Sequence, residues 1–143
     1  PVLIYDKKLP MIAAIHVGWK GAFKNILKKS IKFMIKKGSK NQNISAVIGP
    51  SIFRENYEVK RDFMKKFLNL SGRNRKFFYF KKTKIFFDLK EFIKSQLRSL
   101  KISNIDTINK DTFKNRTEFF SARRALKNKE DDYGRNISII MLK

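Results

Sequence analysis

The sequence has no cysteine. That excludes a disulfide framework and any thiolate metal site built from these residues. Histidine is nearly absent as well. His16 is the single one, so no zinc site of common ligand spacing can be assembled from this chain alone. The 12 acidic residues are scattered, with no carboxylate pair in a recognisable catalytic arrangement. Long apolar runs are missing too: the longest are about six residues, against the roughly 18 a membrane span needs. No signal-peptide pattern opens the chain, and a soluble cytoplasmic protein is the expectation. There is no internal repeat and no low-complexity linker.

What is abundant is positive charge. Lys and Arg number 34, and the formal net charge is +22. Such a balance suits a polyanionic partner. However, 25 of the 34 are Lys, amid many Ile, Asn and Phe residues, and all of these have A/T-rich codons. The lysines are also spread along the chain rather than gathered in one block. A solvated basic surface is therefore the preferred reading, with nucleic-acid binding as the alternative. The 143 residues, 42% hydrophobic with 14 Phe, suffice for a buried core and for one domain spanning 1–143. Residue 1 is Pro and opens inside an apolar strand-like run, which reads as a partial product lacking its amino-terminal part.

Strands and helices alternate along the chain, which predicts an α/β-type domain. Strands are expected at 2–5, 11–17, 44–48, 77–80, 85–87, 105–108 and 137–142. Alternation along the second strand places His16 on one face with Ile12 and Ala14, opposite Ile15 and Val17. A helix is expected over 20–37, where Phe23, Ile26, Leu27, Ile31 and Met34 recur at helical spacing. Gly38 is its natural stop. Further helices are expected over 61–70 and from Asp88, where Asp88 and Glu91 have capping-box spacing. Residues 71–76 read as a polar, basic loop.

Three segments carry candidate chemistry. In His16-Val17-Gly18-Trp19-Lys20-Gly21 a strand-end histidine enters a turn with two glycines, and a helix follows. Glycines permit close backbone approach, a helix start attracts anions, and Lys20 adds a cation. His16 suits a metal ligand or a general base; the plain alternative is a hydrogen-bonded structural histidine. The second segment presents Ser51 after the Gly49-Pro50 turn. Ser51 would need a base to act as a nucleophile, with His16 the one conceivable partner, and a turn cap is the preferred reading. In Phe119-Phe120-Ser121-Ala122-Arg123-Arg124 an arginine pair follows an aromatic, strand-like stretch. The pair suits a phosphate or carboxylate clamp, or plain surface charge.

Together these segments resemble the laccase-domain proteins, known also as multicopper polyphenol oxidoreductases, purine nucleoside phosphorylases and peptidoglycan-editing factors. The run Ala13-Ala14-Ile15-His16-Val17-Gly18-Trp19-Lys20-Gly21 resembles that family's Ala-Ala-Val-His-Ala-Gly-Trp-Arg-Gly signature. Ile48-Gly49-Pro50-Ser51-Ile52, with Tyr57-Glu58-Val59, is similar to its Ile-Gly-Pro-Cys-Ile and Tyr-Glu-Val segment. Phe87-Asp88-Leu89, Asp111-Thr112, the Phe119–Arg124 box and Gly134-Arg135-Asn136 follow in family order. The resemblance implies an α+β fold like that of cytotoxic necrotizing factor, with a mixed, mostly antiparallel sheet sandwiched by helices. It implies zinc, with His16 as the one ligand in this chain and the remaining Cys and His upstream of Pro1. It also implies phosphorolysis of adenosine, inosine or methylthioadenosine, with adenosine deamination and peptidoglycan editing in the same family. The implied catalytic residues are His16 and Lys20. Gly18, Gly21, Ser51, Arg123 and Arg124 would hold purine nucleoside or phosphate. Lys20 stands for the family Arg, and Ser51 and Asp111 for family cysteines that are not metal ligands. By themselves these residues are expected to be inactive.

Overall fold

The computed structural model describes residues 1–142. They divide into two compact units. Of the described residues, the first comprises 1–49, 91–109 and 138–142; the second comprises 50–90 and 110–137.

The first unit is built on a four-stranded sheet. Its strands are β1 (Val2–Asp6), β2 (Ile12–Ile15), β3 (Ile44–Ile48) and β7 (Asn104–Thr107), in the order β2-β1-β3-β7. β1 pairs antiparallel with β2 and with β3, while β3 and β7 run parallel. The sheet is thus mixed and mostly antiparallel, as expected. Val2, Ile4, Ile44, Ala46 and Ile48 are almost wholly buried, which is why the runs around them form strands rather than surface loops. At the end of β1, Asp6 is buried and its Oδ1 accepts the N–H groups of Lys8 (2.7 Å) and Leu9 (3.1 Å), closing the turn into β2.

The helix expected over 20–37 is broken in two. α1 covers Trp19–Phe23 and α2 covers Ile26–Lys36. The break is at Asn25, whose backbone is left-handed (φ 54°). Asparagine is among the few residues that adopt this conformation readily. Gln96 fixes the break: its Nε2 donates to the Ala22 carbonyl at 2.8 Å and to Asn25 Oδ1 at 2.9 Å. Hydrophobic periodicity cannot register a one-residue break, because Leu27, Ile31 and Met34 keep their phase within α2 and are buried. Gly38, at φ 104°, ends the helical segment as expected.

The second unit holds β4 (Glu58–Val59), β5 (Phe78–Lys81) and β6 (Lys84–Phe87), an antiparallel sheet in the order β4-β6-β5. α3 (Arg61–Leu70) covers the predicted span. Its Phe63 and Phe67, four residues apart, stack at 4.8 Å and meet Phe87 at 5.2 and 4.8 Å. Phe78 joins Phe87 at 4.9 Å. Tilted and edge-on ring contacts of this kind form the core of the unit. Residues 72–77, expected as loop, form a short 3-10 helix whose start Ser71 caps by accepting the Arg73 N–H. α4 (Leu89–Ser99) follows β6, and its first two residues belong to this unit. α5 (Ala122–Asn128) was not foreseen; Ser121, not a strand, precedes it and caps its start.

The strand expected at 137–142 does not form: these residues have no regular structure. Ile137, Ile139 and Met141 are 83, 67 and 78% exposed. Their alternation is right for a strand, but strand formation depends on a pairing partner and a buried face. Among the described residues this segment has neither.

Burial works to raise the Asp6 pKa, but hydrogen bonds from Lys8, Ser39 and Leu9 outweigh it, and the carboxyl lies below its ordinary value. A depressed carboxylate contributes stability above its unfolded pKa and loses it as pH falls through the folded one. Asp6→Asn is expected to cost roughly 1–3 kcal/mol at pH 7. The difference from the parent should shrink as pH falls below the ordinary carboxylate range, as read by denaturant unfolding at neutral and acid pH.

Candidate functional site

The first unit carries His16 one residue beyond β2. Ala14 and His16 share one face, as predicted, and the structure shows it to be the exposed one, with Ile15 and Val17 buried opposite. His16 is exposed, and among the described residues its imidazole has no hydrogen-bond or ion-pair partner. Its Nε2 lies over Gly18: a Cβ built there would stand 3.0 Å from it. Gly18 itself has an ordinary extended backbone (φ −70°, ψ 175°). The glycine thus serves the close approach of the imidazole rather than an unusual dihedral. Gly21 is similar, since its Cβ would meet the His16 carbonyl at 3.4 Å and Ile26 at 3.3 Å.

Lys20 is exposed in the first turn of α1, with its Nζ 5.7 Å from the Trp19 ring centre. α1 has five residues, and its Gly18 cap makes no side-chain hydrogen bond. So short a helix carries little aligned dipole. The anion-attracting feature of this segment is thus the Lys20 ammonium more than the helix start. His16, Gly18, Lys20 and Gly21 form one local constellation.

The second unit gathers the other candidates. Ser51 lies in an isolated parallel bridge with Asp111. Its N–H donates to the Lys110 carbonyl and its own carbonyl accepts from Thr112, both at 3.2 Å. Its hydroxyl is buried without a hydrogen-bond partner, so Ser51 is not the turn cap the sequence suggested. The buried Asp111 carboxylate is the hub here. It accepts from the N–H groups of Phe53 (3.3 Å) and Phe113 (2.9 Å) and from the Asn56 amide. Nothing local in the sequence could pair Asn56 with Asp111, because they lie 55 residues apart.

The arginine pair splits in role. Arg124 donates through Nη1 to the carbonyls of Thr112 (2.8 Å) and Phe113 (2.9 Å), and through Nη2 to that of Phe119 (2.5 Å). A guanidinium committed to three carbonyls holds the 111–119 segment in place rather than standing free for phosphate. Arg123 donates to the Glu58 carbonyl at 3.0 Å and lies 5.0 Å from the Tyr57 ring centre. Burial pushes the Tyr57 phenol above its ordinary range, against the opposing effect of Arg123.

Among the described residues, no three His, Cys, Asp or Glu side chains gather as a metal would require. His16 alone does not fit a tetrahedral zinc site. Nor is any helix among them long and apolar enough to cross a membrane.

A family model described as multi-copper polyphenol oxidoreductase laccase matches residues 1–143. The chain belongs to this laccase family. It is 35% identical over 146 residues to a purine nucleoside phosphorylase of Rickettsia conorii, covering 100% of this chain and 60% of that protein. A purine nucleoside phosphorylase of Haemophilus influenzae is 28% identical over 98% of this chain and 55% of its own length. Among solved structures, Bacillus licheniformis hypothetical protein YfiH superposes with a TM-score of 0.78 at 30% identity, covering 86% of this chain and 48% of that one. A Neisseria meningitidis protein of the DUF152 family gives 0.77 at 26% identity, over 86% and 50%. The chain thus spans about half to three-fifths of the relatives it matches. The laccase-family resemblance read from the His16–Gly21 and Phe119–Arg124 segments, and the fold it implied, both agree with these comparisons.

Two outcomes test this geometry. Gly18→Ala should change stability by less than about 1 kcal/mol, since its backbone suits alanine, yet shift the His16 imidazole resonances in NMR spectra. Arg124→Ala should lower stability by roughly 2–4 kcal/mol in denaturant unfolding, because it leaves three carbonyls without their charged donor. Arg124→Lys should not restore it, since an ammonium cannot reproduce the fork.

Proposed function

We propose that this chain is part of a purine nucleoside phosphorylase acting on adenosine or inosine, with His16 and Lys20 in its reaction site. The observation that carries the reading is the exposed imidazole of His16 over Gly18, in the same strand-end turn that presents the exposed Lys20. An imidazole with no structural hydrogen bond is free to exchange a proton with a ligand. The relatives named purine nucleoside phosphorylase supply the substrate class.

In phosphorolysis a phosphate oxygen bonds to the anomeric carbon of the ribose as the carbon–nitrogen bond to the base breaks. Base and ribose 1-phosphate are the products. Lys20 neutralises incoming phosphate charge, and His16 is the proton-transfer group. Gly18 and Gly21 keep the turn low enough for substrate to reach the imidazole. Arg124 and Asp111 serve by holding their own unit's loops. A zinc ion, expected from the resemblance, would need ligands that these residues do not supply.

The test uses the protein expressed from its natural reading frame, incubated with adenosine or inosine, with and without phosphate. Chromatography is expected to show phosphate-dependent release of adenine or hypoxanthine with equal ribose 1-phosphate. His16→Ala should lower kcat/KM by about 100-fold or more. Base release untouched by His16→Ala would remove His16 from the reaction. Ammonia from adenosine without free base would assign deamination instead, and neither product would overturn the nucleoside reading.

A further inference from the structure

Residues 60–84 of the second unit contain ten Lys or Arg and one acidic residue, Asp62. The density alone is matched by residues 20–40, with eight Lys and no acid. What distinguishes 60–84 is the way the fold combines charge with exposed rings.

β5 is an edge strand, bonded to β6 on one side only. Its successive residues Tyr79 and Phe80 are 39 and 51% exposed. Each carries an arginine on its ring: Arg54 at 4.4 Å from the Tyr79 centre and Arg75 at 4.3 Å from that of Phe80. The two arginine–ring stacks, one on each face of this free strand edge, are not needed for the core, which Phe63, Phe67, Phe78 and Phe87 already fill.

The hairpin beyond them concentrates unneutralised charge. Lys81 pairs directly with Lys84 across the strands. Like charges in that position repel. Lys84 is matched by Glu58 at 2.9 Å, and Arg54 by Glu55 at 2.8 Å. Lys81 and Lys82 have no ion pair among the described residues, and Lys82 is held at the tip with φ 53°. A groove of about 390 Å³ opens beside the tip, lined by Lys60, Arg61, Phe80 and Lys82, with Glu58 the one acidic group on its wall.

We propose that this edge and hairpin tip bind single-stranded nucleic acid. Bases stack on the Tyr79 and Phe80 rings and their arginine planes, and phosphates lie against Lys81 and Lys82. Exposed rings set among cations are what such strands recognise. An acidic protein would use the charge but have no use for two stacked planes. Duplex nucleic acid offers no unstacked base to them. The inference does not depend on the nucleoside reading, since none of its residues belongs to the His16 constellation.

The experiment is fluorescence anisotropy of the 143-residue chain with a labelled 15-nucleotide oligouridylate across a salt series. Binding is expected to weaken steeply with salt. Lys81→Ala with Lys82→Ala should flatten the log–log salt slope by about 1.4, two single-strand phosphates at roughly 0.7 each. The same charge loss on α2, Lys28→Ala with Lys32→Ala, should leave the slope unchanged. Tyr79→Ala with Phe80→Ala should weaken binding roughly tenfold or more at an unchanged slope. Equal effects from the hairpin and α2 pairs would overturn the proposal in favour of diffuse attraction. So would a ring variant that binds as the parent does, competition by polyphosphate as strong as by oligouridylate, or tighter binding to a duplex of the same length. The lysine pairs are exposed and far from the core, so the test stands even if the ring variant fails to fold.

Discussion

The first unit depends on the pairing of β1 on both of its edges. Five residues, Val2 to Asp6, bond to β2 on one side and to β3 on the other. Because side chains alternate, this places Val2 and Ile4 in the core and lets Asp6 close the next turn. A slip of one residue would send both apolar side chains to the surface. The register also decides where β2 stops, and so where His16 stands. The position of the imidazole is in this sense a product of strand pairing rather than of anything in the turn.

Legibility from the sequence followed the range of the interaction concerned. α3 was readable to the residue because Phe63 and Phe67 lie one helical turn apart and face one core. β3 came from a short apolar run closed by Gly49-Pro50, and the shared face of Ala14 and His16 from alternation. The break at Asn25 was not readable, since it rests on a glutamine 71 residues away. α5 was hidden by Phe119 and Phe120, whose strand preference masked the Ser121 cap that follows. The segment 137–142 erred in the other direction, since its pattern promises a strand that only a partner could complete.

The candidate site was legible in type more than in use. The family motifs singled out His16, Lys20, Ser51 and the arginines. They could not say that Arg124 is committed to three carbonyls while His16 has no partner. The first makes a charged residue structural, and the second makes an uncharged-looking turn chemically open. The two units thus divide the work differently from the sequence motifs. One presents an exposed imidazole over a glycine, and the other commits Asp111 and Arg124 to its own loops.

The exposed segment around Ile137, Ile139 and Met141 has a further consequence for how the protein behaves in solution. An alternating apolar stretch without proline is a template for strand exchange between molecules. The net charge of +22 opposes this by keeping copies apart. That repulsion reaches only about 8 Å at physiological ionic strength and about 3 Å at 1 M. Colloidal stability therefore rests on low salt, and a polyanion that neutralises the surface would bring the molecules within pairing distance of one another.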